Sequence, residues 1–321
     1  MIYCIYKMNF LAPLHTGHGD GAVTLTNAAM PLKADTVFSA VCNEAGRVFG
    51  ESSVQRLIEL CGDGKLLFSD TFPYCKDVLY IPKPVYRLDD GVEFDVENRK
   101  SIKSVEWLPA SDESLKAFSE YIHTGKMFDT TSLCTSFADK VIHTKASLRN
   151  GTDDAKPYRV AMYEFKEHCG LYGIIGCEDE SDLSLVKRIF SAMSFSGIGG
   201  FIGRGCGRFL FETVSDDNDC AKFIKSRLGT KADEYMLLTS ALPKEDELKS
   251  TLNGAYYSVI RRGGFSFSAQ TAPAVKKKTQ YFLASGSVVR TAFEGDLYEV
   301  GENGKHAVYR YSKPMFMGVE L

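Results

Sequence analysis

Along the first eleven residues, M-I-Y-C-I-Y-K-M-N-F-L, apolar and other side chains alternate well enough to predict a β-strand. The glycine-rich L-H-T-G-H-G-D-G, 14–21, then predicts a loop. The period next changes to three and four. Val37, Val41, Ala45 and Val48 share one helical face, Asp35 stands where an N-cap is wanted, and Gly50 where a helix can stop. V-Q-R-L-I-E-L predicts a short second helix leading into K-L-L-F-S-D. The stretch from F-P-Y to I-P-K-P-V-Y, 72–86, carries prolines that argue against a central strand, so it is expected to cross the surface. Polar residues accumulate from 85 to 160, where only S-L-K-A-F-S-E-Y-I predicts a helix and part of the chain is expected to be mobile. V-A-M-Y-E-F and L-Y-G-I-I-G predict neighbouring strands. In D-L-S-L-V-K-R-I-F-S-A-M, Leu185, Ile189 and Met193 recur every four residues behind Ser181 or Asp182 as cap, and R-F-L-F-E-T-V predicts a closing strand.

Strand, helix, strand, strand, helix, strand is the split βαβ order of a ferredoxin-like (RRM-like) domain, with a four-stranded antiparallel sheet. After S-D-D-N-D the pattern is strand-rich again: E-Y-M-L-L-T-S-A-L, then the helix E-D-E-L-K-S-T-L-N-G, then Y-Y-S-V-I, Q-Y-F-L-A, L-Y-E-V and A-V-Y-R-Y. The expectation is an α+β fold of two ferredoxin-like βαββαβ domains. The first spans 1–215 with an insertion around 70–160, and the second, degenerate copy spans 216–321. A length of 321 residues agrees with two domains.

Composition narrows the function classes. With 44% hydrophobic and 25% charged residues and no apolar run long enough to span a bilayer, the chain is expected to be soluble, with no membrane partner. The N-terminus has no basic stretch before its apolar residues, so it reads as a strand rather than a signal peptide and the expected location is cytoplasmic. Nine scattered cysteines form no C-x-x-C pair and no zinc spacing with histidine, which points to reduced thiols and no metal or other cofactor. A net charge of −3 excludes indiscriminate coating of nucleic acid, so a polyanion must meet a local patch.

Such a patch is offered by S-G-I-G-G-F-I-G-R-G-C-G-R-F-L-F-E, 196–212, with six glycines in eleven residues. Nucleotide-binding loops run strand, glycines, helix, so that a helix N-terminus meets the phosphate. Here a helix precedes the glycines, turning its partly negative C-terminal end to the loop, and no G-K-[ST] is present. What remains is exposed backbone. Gly197, Gly199, Gly200, Gly205 and Gly207 can present N–H groups while Arg204 and Arg208 add charge-assisted bonds, a surface suited to a single RNA strand. The alternative is a tight turn with two solvated arginines.

In its context, G-I-G-G-F-I-G-R-G-C-G-R-F resembles the glycine-rich loop of the RAMP superfamily of CRISPR proteins. L-H-T-G, A-D-T-V-F-S-A, S-D-T-F-P-Y with I-P-K-P, R-R-G-G-F-S-F-S, K-K-K-T-Q-Y-F-L-A-S-G-S and Y-S-K-P-M-F-M-G-V-E follow one another as in the RAMP subunit at the foot of the type III-A (Csm) interference complex. The resemblance implies a non-catalytic scaffold with two ferredoxin-like domains. Its partners would be the 5′ repeat-derived tag of the crRNA, the large polymerase/cyclase-like subunit and the first backbone RAMP subunit. Family members usually carry Lys-Arg where Phe201 and Ile202 stand here, with Arg204 as the substitute.

Further candidates are weighed against plainer roles. His15 and His18 flank Gly17, and related RAMP endonucleases cleave RNA with a histidine; contact with RNA, a structural hydrogen bond to backbone and catalysis by His15 all stay open. Asp35 is read as the helix cap rather than a catalytic aspartate. Arg261, Arg262, Gly263 and Gly264 form a second arginine-glycine element and Lys276, Lys277 and Lys278 a third, with RNA contact set against a protein interface. Lys145 and Arg149 belong to a loop that either folds over RNA or is merely solvated. Phe201 can stack on a base, whereas Trp107 is expected in the core. Beside the scaffold stand two other functions, a metal-independent endoribonuclease acting through His15 and a pure protein-interaction module.

Overall fold

The structure is a computed structural model that describes residues 1–17, 23–131, 133–147, 156–266, 276–301 and 307–321. Its first part runs β1 (Ile2–Phe10), α1 (Val23–Thr26), α2 (Ala34–Val48), α3 (Glu51–Gly62), β2 (Leu66–Phe68), β3 (Phe72–Cys75), β4 (Val78–Pro82), α4 (Val96–Ser104), β5 (Trp107–Pro109) and α5 (Asp112–Thr124). The hairpin β6 (Ala138–Ser147) and β7 (Lys156–Phe165) follows, then β8 (Cys169–Cys177), α6 (Glu180–Ser196) and β9 (Phe209–Thr213). The remainder comprises α7 (Asp219–Arg227), β10 (Glu234–Leu237), α8 (Leu248–Leu252), β11 (Val259–Arg262), β12 (Gln280–Leu283), β13 (Val288–Val289), β14 (Leu297–Glu299), β15 (Tyr309–Tyr311) and β16 (Phe316–Val319).

The fold is α+β and its sheets are antiparallel. The main sheet has seven strands instead of the expected four: β9, β1 and β8 lie side by side, β2 and β3 both pair with the far edge of β8, and β4 and β5 extend the sheet beyond β3. All nine residues of β8 are buried, which requires cover on both faces. Alternation divides the strand. Leu171, Ile175 and Cys177 join a core with Val37, Val41 and Ala45 of α2 and Leu183, Val186, Ile189, Phe190 and Met193 of α6. Tyr172 and Ile174 face the other core, where Phe118 of α5 and Ile224, Met236 and Met317 from the last hundred residues pack. Each buried Leu, Ile or Val contributes about 1.5–3 kcal/mol, so the shared second core binds the two parts of the chain together.

Several local expectations are corrected by packing. The 72–86 stretch is no surface crossing, because β3 and β4 form a buried hairpin. Pro73 is tolerated because β3 pairs with β4 only at Tyr74 and Cys75, leaving the proline's missing N–H without a ladder partner to disappoint. The polar 140–160 stretch overlaps two ten-residue strands, paired from Ala138 and Phe165 to Ser147 and Lys156. β7 does not neighbour β8, whose edges are already occupied by β1 and by β2 and β3. Helix α6 is capped by Asp179, which accepts from the N–H of Ser181 at 2.7 Å, whereas Asp182 pairs with Arg56. Asp35 is no cap either: α2 begins after Lys33, and the Ala34 N–H donates to Asp70 Oδ1 at 2.9 Å. In the last hundred residues β13, β10 and β16 form a three-stranded sheet, and β11 with β12 and β14 with β15 form two ribbons. Among the described residues no helix is long and apolar enough to cross a membrane.

Candidate RNA-binding site

The glycine loop leaves α6 at Gly197, makes a 3-10 turn over Ile202–Arg204 and enters β9. Its stem is tied inward. Gly197 N–H donates to Met193 O, Ile198 to Gly207 O, Gly200 to His15 O and Gly207 to Pro13 O, all within 3.0 Å. The glycines here serve close packing. Gly207 has φ +70° and a Cβ would collide with the Ile198 carbonyl; Gly199 has φ +91° and a Cβ would lie 2.6 Å from His15 O. These amides are consumed by the fold rather than bared for a ligand. Gly203, Arg204 and Gly205 at the tip are exposed, as is Arg208 just before β9.

Against this loop lies the β6–β7 hairpin, with Val160 and Met162 packed on Cys206 and Phe201. Phe201 is a non-glycine residue with φ +60°, a left-handed conformation that costs about 1–3 kcal/mol and so has to be imposed by its surroundings. Its ring is surrounded. Lys145 Nζ lies 4.8 Å and Arg204 Cζ 5.4 Å from the ring centroid, and the edge-on His15 ring 5.1 Å. Arg204 Nη1 donates to the Tyr158 hydroxyl at 2.6 Å. Beside them an open groove of about 680 Å³ is lined by Leu25, Ala146, Ser147, Lys156, Pro157, Tyr158 and Arg204. His15 itself is only 5% exposed, and its Nδ1 is 2.7 Å from Ala161 O, the structural role among those left open. Gly17 pairs as an isolated bridge with Ala28. His18 and Arg149 lie outside the described residues.

The second group of candidates gathers around Asp35. Arg262 grips its carboxylate with two bonds, Nε to Oδ2 at 3.0 Å and Nη2 to Oδ1 at 2.6 Å, and Arg310 Nε stands 3.8 Å away. Arg310 also donates to the carbonyls of Lys278 and Gly263. Burial alone would raise the Asp35 carboxyl, but the charge and hydrogen bonds of Arg262, backed by Lys277 and Arg310, hold it below its ordinary value. Burial lowers the Lys277 ammonium, Asp35 opposing it and the two arginines assisting. Arg262 is therefore a structural cation. Lys277 N–H donates to Gly264 O, and Lys276 bridges Phe265; the Lys276 and Lys278 side chains are exposed. Trp107, expected in the core, is half-buried and packs on Phe72 at the edge of the second core.

Sequence reasoning missed Tyr158 and Lys156, which stand in a strand whose polar alternation resembles a loop, and Arg310, whose burial no local signal announces. The two groups rest on separate elements, loop plus hairpin in one and the β11–β12 ribbon with β15 in the other.

Across its whole length the fold is that of CRISPR interference-complex proteins. A chain in the crystal structure of a Csm3–Csm4 subcomplex of the type III-A interference complex superposes with TM-score 0.67, 18% identity and 100% of both chains covered. A chain of a Csm1–Csm4 cassette in complex with cA4 gives 0.61, with 20% identity over 99% of this chain and 98% of that one. Sequence makes the assignment specific. The "CRISPR system Cms protein Csm4" of Mycobacterium tuberculosis (strain CDC 1551 / Oshkosh) is 31% identical over 306 residues, 95% of this chain and 94% of the relative. Its Streptococcus thermophilus counterpart is 28% identical with both chains fully covered, and residues 230–319 match the family described as the CRISPR Csm4 C-terminal domain. The chain belongs to the Csm4 family of CRISPR proteins.

Proposed function

We propose that this Csm-complex subunit is a scaffold that holds the 5′ repeat-derived tag of the crRNA without cutting it. The observation that carries the reading is the open groove lined by Lys156, Tyr158 and Arg204, beside which Phe201 is held at positive φ with Lys145 and Arg204 both against its ring. Cations gathered on the wall of such a groove suit the phosphates of a single strand. The tip residues Arg204 and Arg208, with Lys145 and Lys156, supply the charge; Arg261, Lys276 and Lys278 supply a second contact, and the glycines shape the loop. Support for two ferredoxin-like domains, 1–215 with the 70–160 insertion and 216–321, comes from the strand order β9, β1, β8, β2 with α2 and α6 as the crossovers. In the second domain β13, β10 and β16 are the remnant of the same sheet.

A buried His15 bonded to backbone favours the scaffold over the endoribonuclease. The crystal structures that share this fold pair a Csm4 with Csm3 or with Csm1. For this chain the corresponding partners are the backbone RAMP subunit and the large polymerase/cyclase-like subunit, in the cytoplasm. The test is to purify the complex with Arg204→Glu and Arg208→Glu in this subunit. Loss of crRNA with the protein partners retained supports the reading, and full retention of crRNA removes the loop from the site.

A further inference from the structure

Three of the nine cysteines meet in a small core with Tyr80 and Phe137, apart from the cluster of Val160, Met162 and Cys206 under the glycine loop. Cys75 ends β3 and Cys169 begins β8, and the two are direct cross-strand partners. The neighbouring pair carries the ladder bond, Lys76 N–H to His168 O at 2.8 Å, while the Cys169 N–H turns away to Lys166 O at 3.0 Å. Cys75 and Cys169 therefore occupy a non-hydrogen-bonded position, where opposed Cα atoms approach to about 4.5 Å. That separation falls within the about 4.4–6.8 Å that a disulfide spans. Cys75 and Cys134 both pack against the small core that holds Cys169, and Cys75 perturbs the thiols of both. Among the described residues no group of His, Cys, Asp and Glu is placed to hold a metal ion, so the trio's available chemistry is redox.

We propose that Cys75 and Cys169 are an oxidisable dithiol that closes into a disulfide by exchange with a small-molecule disulfide, with Cys134 as a third thiol to which the link can pass. Half-buried Cys75 is the point of entry, since Cys169 is only 4% exposed. The Cys75 sulfur attacks the small disulfide, forming a mixed disulfide and releasing one small thiol. The Cys169 sulfur then attacks Cys75, releasing the second. Two protein thiols and one disulfide thus become one protein disulfide and two small thiols, with the electron pair passing to the small molecule. Burial pushes the Cys169 thiol up to about 12, so the second step is slow at neutral pH. The bond would tether the root of the segment from Lys76 to His168, which carries the β6–β7 hairpin onto the glycine loop.

The test exposes the folded full-length chain to oxidised glutathione, counts thiols with a chromogenic reagent, and maps non-reduced peptides by mass. The expected result is loss of two of the nine thiols, a linked peptide joining Cys75 to Cys169, and recovery of all nine with dithiothreitol. In Cys169→Ser the linked peptide should join Cys75 to Cys134. The wild-type measurement stands without the variant. Nine thiols persisting in the folded chain while urea-unfolded chain oxidises, or linked peptides joining other cysteines, would overturn the proposal.

Discussion

Replacing Asp35 by asparagine keeps the side chain's shape and removes the negative charge on which Arg262, Arg310 and Lys277 converge. Removing one partner of a buried ion pair costs about 3–5 kcal/mol, because the other charge is left desolvated and unpaired. Here the Arg262 side chain retains 22% of its exposure and can turn partly to water, whereas Arg310 at 2% cannot. The expected loss is therefore near the lower end, about 3 kcal/mol. Urea unfolding at neutral pH measures it. The acid dependence adds a signature. The folded Asp35 pKa lies below the ordinary 3.8, so its stabilisation is complete above that value and disappears as pH falls through the folded value. The gap between wild type and Asp35→Asn should be constant from neutral pH to about 5 and narrow on further acidification. Equal stabilities at neutral pH, or a gap that widens in acid, would refute the pairing.

Other outcomes follow from the same geometry. Arg262→Met should lower stability by about 2–3 kcal/mol, less than full loss of a pair because Arg310 and Lys277 still face Asp35, while the folded variant keeps its RNA affinity in a binding titration. Gly207→Ala should cost at least about 2 kcal/mol by denaturation, since positive φ and the Ile198 carbonyl both oppose a Cβ. Gly203→Ala, with nothing within 4 Å of the added atom, should stay within about 0.5 kcal/mol. His15→Ala should cost about 1–3 kcal/mol by leaving the Ala161 carbonyl without its donor, with repeat RNA uncut by wild type and variant alike. Cleavage by wild type that vanishes in the variant would restore the catalytic reading.

The patterns strongest in the sequence survived in the structure because local period and burial agree there. Val37, Val41 and Ala45 are fully buried, as their spacing predicts, and the alternation of β1 places Tyr6 and Met8 in the core. The pattern failed where tertiary pairing overrode it. Pro73 reads as a strand breaker, yet sits where β4 makes no demand on it. Apart from V-A-M-Y-E-F, which reads as a strand, β6 and β7 read as loop because only one of their faces is covered. For the site, the position of the glycine loop was legible, but the role of its glycines was not: six of them suggest bared amides, whereas His15 O, Pro13 O and Gly207 O consume much of the stem. The partners of Asp35 and Arg262 lie 227 residues apart, a separation at which one sequence carries no pairing signal.

The cations around Phe201 are proposed to hold RNA through its phosphates. The most direct test is the affinity of this chain for tag RNA from about 50 to about 200 mM salt, comparing wild type with the double variant Lys145→Glu, Arg204→Glu. Each phosphate contact on a single strand contributes about −0.7 to the slope of log affinity against log salt. The double variant should bind more weakly, with a slope shallower by about 1.4. The same affinity and the same slope in both proteins would contradict it.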